Sequence, residues 1–343
     1  MALFLNKPSY PFRPITSVAA LARALGLEQA ALISAAERAD GCYRSVPPKP
    51  GSTRQTFDAL GLLKEIHRRI KGRFFERVIF PDYLHGSLKG CDYVTNASLH
   101  TNKQILICED VQSFFPSVKA ERVEDVWCGF FGFAPDVARL LTKLTTKDGA
   151  LPQGAISSSY LANLVLWRDE PILQAKLAAQ GITYSRYVDD MAMSSPTHLP
   201  KSTQTQVIAQ VYGMLRKNGL SAKRRKHEIF SASEPMIATK LVVNRKPSLD
   251  QKQRSQVRAQ VRQLEVARAD GGDVDAIRLL ANKAAQRVGQ LGRFHPREAE
   301  QLKARIRFVR ESLPVESSIP VTLPSGRDSY LANADDPDAW APW

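Results

Sequence analysis

Asp189 and Asp190 sit side by side in a segment that otherwise builds strand, with Tyr187-Val188 before them and Met191-Ala192-Met193 after. Adjacent carboxylates among strand formers repel one another, so something must compensate. Aspartate favours turns, and a hairpin tip accounts for the pair, although Asp-Asp is a poorer hairpin turn than Asn-Gly or Asp-Gly. A hard divalent cation is the other account, because carboxylate oxygens are its preferred ligands. Asp110 is placed similarly, after the apolar run Ile105-Leu106-Ile107-Cys108 and Glu109. Singly, each aspartate is explained by a turn or a cap. Together they are what phosphoryl transfer needs: two Mg²⁺ ions about 4 Å apart that activate an attacking hydroxyl and stabilise a leaving pyrophosphate oxygen. The protein brings two or three carboxylates, and the nucleotide's phosphates complete the coordination.

Such carboxylates need rigid elements. Residues 105–108 read as a buried strand ending at Asp110. Residues 181–195 alternate as a strand–turn–strand hairpin with the aspartate pair at its tip. Short helices are expected over 15–39, capped by Thr16 or Ser17 and broken at Gly26. Their helix-turn-helix rhythm fits a small helical bundle better than a DNA reader. Residues 43–53, with Pro47, Pro48, Pro50 and Gly51, predict a loop. Leu60, Leu63, Ile66 and Ile70 place a helix over 58–73, and 81–100 is polar and irregular. Helices are expected at 119–131 and 134–144, then a turn at Lys147-Asp148-Gly149. One long apolar helix should run from Ser157 to Leu173, and another from about Thr203 to Lys217. Leu241-Val242-Val243 reads as a further strand. From Ser248 the pattern is helical, with Val257, Val261 and Leu264 on one stripe, a break at Gly271-Gly272, and helices at 277–288 and 297–309. Alternating strands and helices followed by a helical run predict an α+β core with a helical appendage.

Composition narrows the class. Of the 343 residues, 43% are hydrophobic and 24% charged, as in ordinary soluble proteins. No apolar run approaches the ~18–20 residues that span a bilayer, so no membrane partner is expected. The opening MALFLNKPSYPFRP lacks the features of a secretory signal. Cys42, Cys91, Cys108 and Cys128 are scattered without a CxxC pair, which predicts reduced thiols in a cytoplasmic protein rather than a zinc site or disulfide framework. The net charge of +14 suits a polyanion partner, or else a solvated basic surface. The excess is uneven. Residues 245–311 hold 16 Lys/Arg against 8 Asp/Glu, a net of +8, and suit a phosphate backbone. Residues 312–343 hold Arg327 against five acids, a net of −4. That tail, rich in Pro, Ser and Asp, is expected to be loose or ordered by a partner.

Tyr187-Val188-Asp189-Asp190 resembles the Y-x-D-D signature of reverse transcriptases. Its company makes the likeness specific. Asp110-Val111-Gln112-Ser113-Phe114-Phe115-Pro116-Ser117 resembles the first catalytic motif, and Leu151-Pro152-Gln153-Gly154-Ala155-Ile156-Ser157-Ser158 the P-Q-G motif. Gly219-Leu220 with Lys226 resembles the next motif, and Leu241-Val242-Val243-Asn244 the primer-grip region. The resemblance implies a right-hand polymerase with an antiparallel palm sheet and a helical thumb. Fingers would span 43–104, palm 105–247 and thumb 248–314, flanked by an N-terminal helical extension (1–42) and an acidic tail (315–343). Within the family the retron class is the nearest likeness. His85-Gly86 with Gly90, then Asn96-Ala97-Ser98-Leu99-His100, matches its N-A-x-x-H element, and Leu241-Val242-Val243-Asn244-Arg245-Lys246-Pro247 resembles its next run. Ala238-Thr239-Lys240 departs from the Val-Thr-Gly that retron enzymes carry there, an element tied to recognition of the cognate RNA.

The resemblance assigns roles. Asp110 and Asp189 would be the main metal ligands, helped by the Val111 carbonyl, with Asp190 supporting the site and the primer end. Phe115 would lie under the sugar and reject a 2′-hydroxyl; by residue type alone it is a core aromatic. Gln153 and Gly154 would face the incoming nucleotide, with Gly154 allowing close backbone approach. Lys49 and Arg54, otherwise ordinary loop charges, would hold the triphosphate. Lys226 would give a proton to pyrophosphate. Asn96 and His100 would stabilise local structure or touch RNA. Asn244, Arg245, Lys246, Arg254 and Arg258 would contact RNA, the last two from basic helices gripping an RNA/DNA hybrid.

The expected function is RNA-directed DNA synthesis with two Mg²⁺ ions and dNTPs. A retron-type enzyme would copy part of a structured non-coding RNA into a branched RNA–DNA product (msDNA), in anti-phage defence with a possible effector protein. The alternatives are another bacterial defence reverse transcriptase, a group II intron-type enzyme and an idle RNA-binding scaffold. The short stretch after the last predicted helix counts against the intron type, and the intact aspartates count against the scaffold. Oligomeric state is left open.

Overall fold

The computed structural model describes residues 5–48 and 54–314, which fall into two compact units, 5–239 and 240–314. Lys49 and the acidic tail lie outside the described residues.

The first unit opens with α1 (Val18–Leu25) and α2 (Gln29–Glu37). The Ser17 hydroxyl accepts from the Ala20 N–H and caps α1, and left-handed Gly26 ends it. Leu21 and Leu32 are buried in the main core, so these helices serve as part of a bundle. A hairpin follows, β1 (Tyr43–Val46) with β2 (Thr56–Ala59), registered from Tyr43↔Ala59 to Val46↔Thr56. The first four residues of the expected 43–53 loop are thus strand, and Pro47 and Pro48 follow directly after it, where no ladder N–H is needed. Next come α3 (Gly61–Arg73), α4 (Tyr93–Ser98), β3 (Ile105–Asp110), the single turn α5 (Phe114–Ser117), α6 (Ala120–Asp125) and α7 (Pro135–Thr145). The short α4 lies inside the stretch expected to be irregular; an Asp92–Thr95 capping box starts it.

The helix expected from Ser157 to Leu173 is two, α8 (Ser158–Leu164) and α9 (Glu170–Ala178). Two causes converge. Pro171 stands in the first turn of α9, where a missing N–H is harmless but a continuing helix would be broken. The carbonyls of Ala162 and Asn163 accept from the Arg186 side chain.

The chain then forms β4 (Thr183–Tyr187), β5 (Asp190–Ser195), α10 (Lys201–Lys217), β6 (Glu228–Ser231) and β7 (Ile237–Ala238). β6 escapes the sequence pattern because it is a mostly exposed edge strand. The main sheet is antiparallel, in the order β4-β5-β3-β6. Ile105, Leu106 and Ile107 of β3 are almost wholly buried at its centre. Phe74, Phe75, Trp127, Phe131 and Phe133 form an aromatic cluster in the same core, and Phe75 stacks on Tyr160 at 5.3 Å. The four cysteines are free thiols. Among the described residues no single helix is long and apolar enough to cross a membrane.

The second unit contains β8 (Leu241–Val242) and a three-helix bundle, α11 (Gln251–Ala269), α12 (Val274–Gly292) and α13 (Pro296–Glu311). Val257, Val261 and Leu264 of α11, Ile277, Ala281, Ala284 and Val288 of α12, and Leu302, Ile306 and Val309 of α13 are all buried. An Asp250–Gln253 capping box starts α11, and Asp273 caps α12 after the predicted Gly271-Gly272 break. Arg305 grips Glu265 with two 2.7 Å bonds.

Candidate active site

Strand register brings the three aspartates to one place. Asp110 and Asp190 are direct partners across β3 and β5. Tyr187 pairs with Asp190, so Val188 and Asp189 are the two turn residues. Val188 has φ 57°. A positive φ at the first turn position alone is the sign pattern of a II′ turn, where glycine is usual. A β-branched residue there stores about 1–3 kcal/mol of strain. The Val111 N–H donates to the Asp189 carbonyl at 3.0 Å, tying the turn to the end of β3.

The chain after α10 supplies a cation. Gln112 donates to the Ser221 carbonyl (2.8 Å) and the Lys223 N–H to the Asp110 carbonyl (2.7 Å), so the segment runs beside the end of β3. Lys226 then donates to Asp110 Oδ2 at 2.5 Å. His227 Nδ1 lies 2.6 Å from Glu109 Oε1, and the Tyr212 hydroxyl donates to Glu109 Oε2 at 3.1 Å. Side chains alternate along a strand; hence Lys226 and His227, neighbours in sequence, hold the neighbours Asp110 and Glu109 from opposite faces of β3.

The electrostatics favour added positive charge. Dense surroundings and then Asp110 raise the Asp189 carboxyl above its ordinary range. Dense surroundings, then Asp189 and Asp110, push Asp190 up to about 7. Asp190 still reaches solvent, so the neighbouring charges are the firmer cause. Burial works against the Lys226 ammonium, but its bond to Asp110 and the three carboxylates raise it overall. Lys226 thus occupies a place where a cation is wanted, and the oxygen donors suit Mg²⁺. Among the described residues no three His, Cys, Asp or Glu side chains form a complete metal cage. Mg²⁺ does not need one, since one or two carboxylates plus substrate phosphates and water suffice.

Asp110 and Asp189 line a cleft of about 1240 Å³, together with the cations Arg54, Lys119, Lys147, Arg216 and Lys223–Arg225. Val111, Phe115 and Gln153 line it too. Left-handed Ser113 (φ 46°) turns the chain so that Phe114 is buried while Phe115 stays half-exposed. Gly154 also makes a close approach within the protein. Its φ is 102°, and a Cβ there would lie 2.9 Å from the Phe57 carbonyl oxygen. With Phe57 N–H donating to the Gln153 carbonyl at 2.8 Å, the close approach is to β2.

Asn96 and His100 are buried, which fits the first of their two expected roles, stabilising local structure, and not a contact with RNA. His100 lies 2.7 Å from the hydroxyls of both Ser194 and Ser185, and burial drives its pKa down to about 3. It ties α4's end to the hairpin as a neutral ring. In the second unit, Arg254 and Arg258 are engaged by Glu298 at 2.8 and 2.6 Å, binding α11 to α13. Arg245 and Lys246 are exposed and Asn244 is half-buried. The sequence reading missed Lys147, which lies over the Phe57 ring at 5.2 Å. It also missed Arg186, buried with Glu170 beneath the turn. The available signal was a charged residue at a core-facing strand position, in phase with Tyr184.

A family model described as reverse transcriptase (RNA-dependent DNA polymerase) matches residues 46–259. The retron Se72 reverse transcriptase of Salmonella heidelberg is 32% identical, covering 91% of this chain and 83% of that protein. The retron Ec48 reverse transcriptase of Escherichia coli is 28% identical, covering 94% and 80%. Among solved structures, telomerase from Candida albicans in complex with a telomeric RNA fragment aligns with a TM-score of 0.41 at 10% identity, over 73% of this chain and 47% of that one. That looser likeness carries no weight here. The motif-bearing hairpin and the extent of the first two matches lead to one conclusion: the chain belongs to the reverse transcriptase family, is of retron type, and is an RNA-directed DNA polymerase.

Proposed function

We propose that the enzyme copies part of a structured non-coding RNA into a branched RNA–DNA product (msDNA), with Asp110, Asp189 and Asp190 as its catalytic carboxylates. The observation that carries this reading is the Asp110↔Asp190 register with Asp189 in the adjoining turn, Asp110 and Asp189 lining a cleft that many cations also line. Asp110 and Asp189, with the Val111 carbonyl, would hold two Mg²⁺ ions, which supply activation of the attacking hydroxyl and neutralisation of charge on the pyrophosphate. The hydroxyl oxygen attacks the α-phosphorus of a dNTP as the bond to the β-phosphate's bridging oxygen breaks. Arg54 and Lys49 would hold the triphosphate, with Lys147 and Lys223 near. Gln153 and Gly154 would face the nucleotide from the loop bonded to β2. Phe115 would close the floor against a 2′-hydroxyl. Lys226 would leave Asp110 for the phosphates and protonate the departing pyrophosphate.

Under this reading residues 43–104 are fingers, 105–247 palm and 248–314 a thumb, and Arg245 and Lys246, both exposed, would meet the RNA backbone. Priming from a guanosine 2′-hydroxyl, an effector partner and a role in anti-phage defence rest on the retron likeness, and a cytoplasmic site on the scattered cysteines. Sequencing the nucleic acid that co-purifies with the protein tests the proposal. A short DNA joined 2′–5′ to RNA is expected; only unbranched or random nucleic acid would contradict it.

A further inference from the structure

The turn that carries Asp189 is held in a conformation its own sequence resists, because Val188 is left-handed. Directly beneath it, Arg186 is completely buried. An arginine has five N–H donors, and each has an acceptor here. Nε and one Nη2 hydrogen take the two oxygens of Glu170 at 2.6 and 2.8 Å. Nη1 donates to the carbonyls of Val188 (3.0 Å) and Ala162 (3.2 Å), and the second Nη2 hydrogen goes to the Asn163 carbonyl at 3.0 Å. The Tyr184 hydroxyl donates to the same Glu170 at 2.7 Å, fixing the carboxylate.

A second set of contacts closes around the turn. Asn163 Nδ2 donates to the Gly86 carbonyl at 2.6 Å. Gly86 lies flat on Val188: a Cβ at residue 86 would fall 2.4 Å from Val188 Cγ2 and 2.6 Å from its backbone nitrogen. The His85 N–H donates to the Arg186 carbonyl at 3.0 Å. Three segments, the 85–86 loop, the end of α8 and the β4–β5 turn, are therefore joined around one strained residue.

We propose that Arg186, with Glu170 and Asn163, is a positioning clasp that holds Val188 left-handed and so aims Asp189 into the cleft. Because α8 follows the loop containing Gln153 and Gly154, the clasp also joins the nucleotide side of the site to its carboxylates. Lysine keeps the charge but cannot replace it, since one ammonium lacks the planar fork that reaches acceptors on three segments. A buried ion pair by itself is weak evidence for stability; the engagement of the Val188 carbonyl is what points to the turn. The inference rests on reading Asp110, Asp189 and Asp190 as the polymerase site.

The test measures kcat and dNTP KM for single-nucleotide incorporation on a primed RNA template, using the full chain. Arg186→Lys is expected to lower kcat about tenfold or more while dNTP KM stays within about twofold. Val188→Gly, which relaxes the left-handed position, is expected to restore part of that loss when combined with Arg186→Lys. Should Arg186→Lys not fold, Asn163→Ala is measured instead, with the same split expected. A folded variant with wild-type kcat, a fall in kcat matched by an equal rise in KM, or a double variant no faster than Arg186→Lys would overturn the clasp. Asp189→Asn is run beside them. If it polymerises at the wild-type rate, the site reading falls and the clasp with it. If it is inactive while Arg186→Lys is unimpaired, the clasp alone falls.

Discussion

Asp110 and Asp190 face each other as register partners at the ends of β3 and β5, two like charges placed directly opposite in an antiparallel ladder. Such a pair destabilises a sheet by about 0.2–1 kcal/mol, a cost that function explains and folding does not. In metal-free buffer Asp190→Asn should therefore raise stability by about 0.5 kcal/mol while lowering DNA synthesis. The pH dependence carries the same sign. The Asp190 pKa is raised in the folded state from 3.8 to about 7. Its stabilising contribution is present below pH 3.8 and is lost as pH rises toward 7. Denaturant titrations of the two proteins across that window should converge at low pH and separate as pH rises.

Phe115 is half-exposed in the cleft beside the buried Phe114 ring, 5.9 Å away. Removing it should open the floor without emptying the core. Phe115→Ala should weaken discrimination against ribonucleotides by about tenfold or more, read as the ratio of kcat/KM for dNTP and rNTP. Undiminished exclusion would refute the gate.

The departure at Ala238-Thr239-Lys240 has a backbone explanation. Thr239 has φ 44° and Lys240 φ 65°. Lys240 thus holds the left-handed conformation for which the resembling motif's glycine is suited. Lys240→Gly should stabilise the protein by about 0.5–1 kcal/mol, net of glycine's larger backbone entropy loss. Urea denaturation measures this, and a destabilised variant would contradict it.

His100→Ala should cost about 2–4 kcal/mol, because it opens a cavity and strips two buried serine hydroxyls of their partner. RNA affinity of the folded variant, measured by fluorescence anisotropy, should be unchanged. A selective loss of RNA binding at unaltered stability would restore a contact role for His100.

The parts most legible in sequence were those set by local pattern. The β4–β5 hairpin follows from alternation, the three C-terminal helices from their apolar stripes and the Gly271-Gly272 break, and the meeting of Asp110 with Asp189 and Asp190 from motif order. What escaped depended on distant partners. The break after α8 is partly made by Arg186 side-chain bonds from another strand. Gly154 is small because β2 lies against it. Glu298, the shared partner of Arg254 and Arg258, lies 40 residues beyond Arg258 and was not visible in the sequence. His100 carried no signal that two serines on a hairpin would consume its nitrogens.

The most direct test of the account is Mg²⁺-dependent extension of a DNA primer on an RNA template by the wild-type protein and by the Asp189→Asn, Asp190→Asn double variant, with RNA binding measured in parallel. The double variant is expected to bind RNA as the wild type does and to make no DNA. DNA synthesis by the variant at the wild-type rate would contradict it.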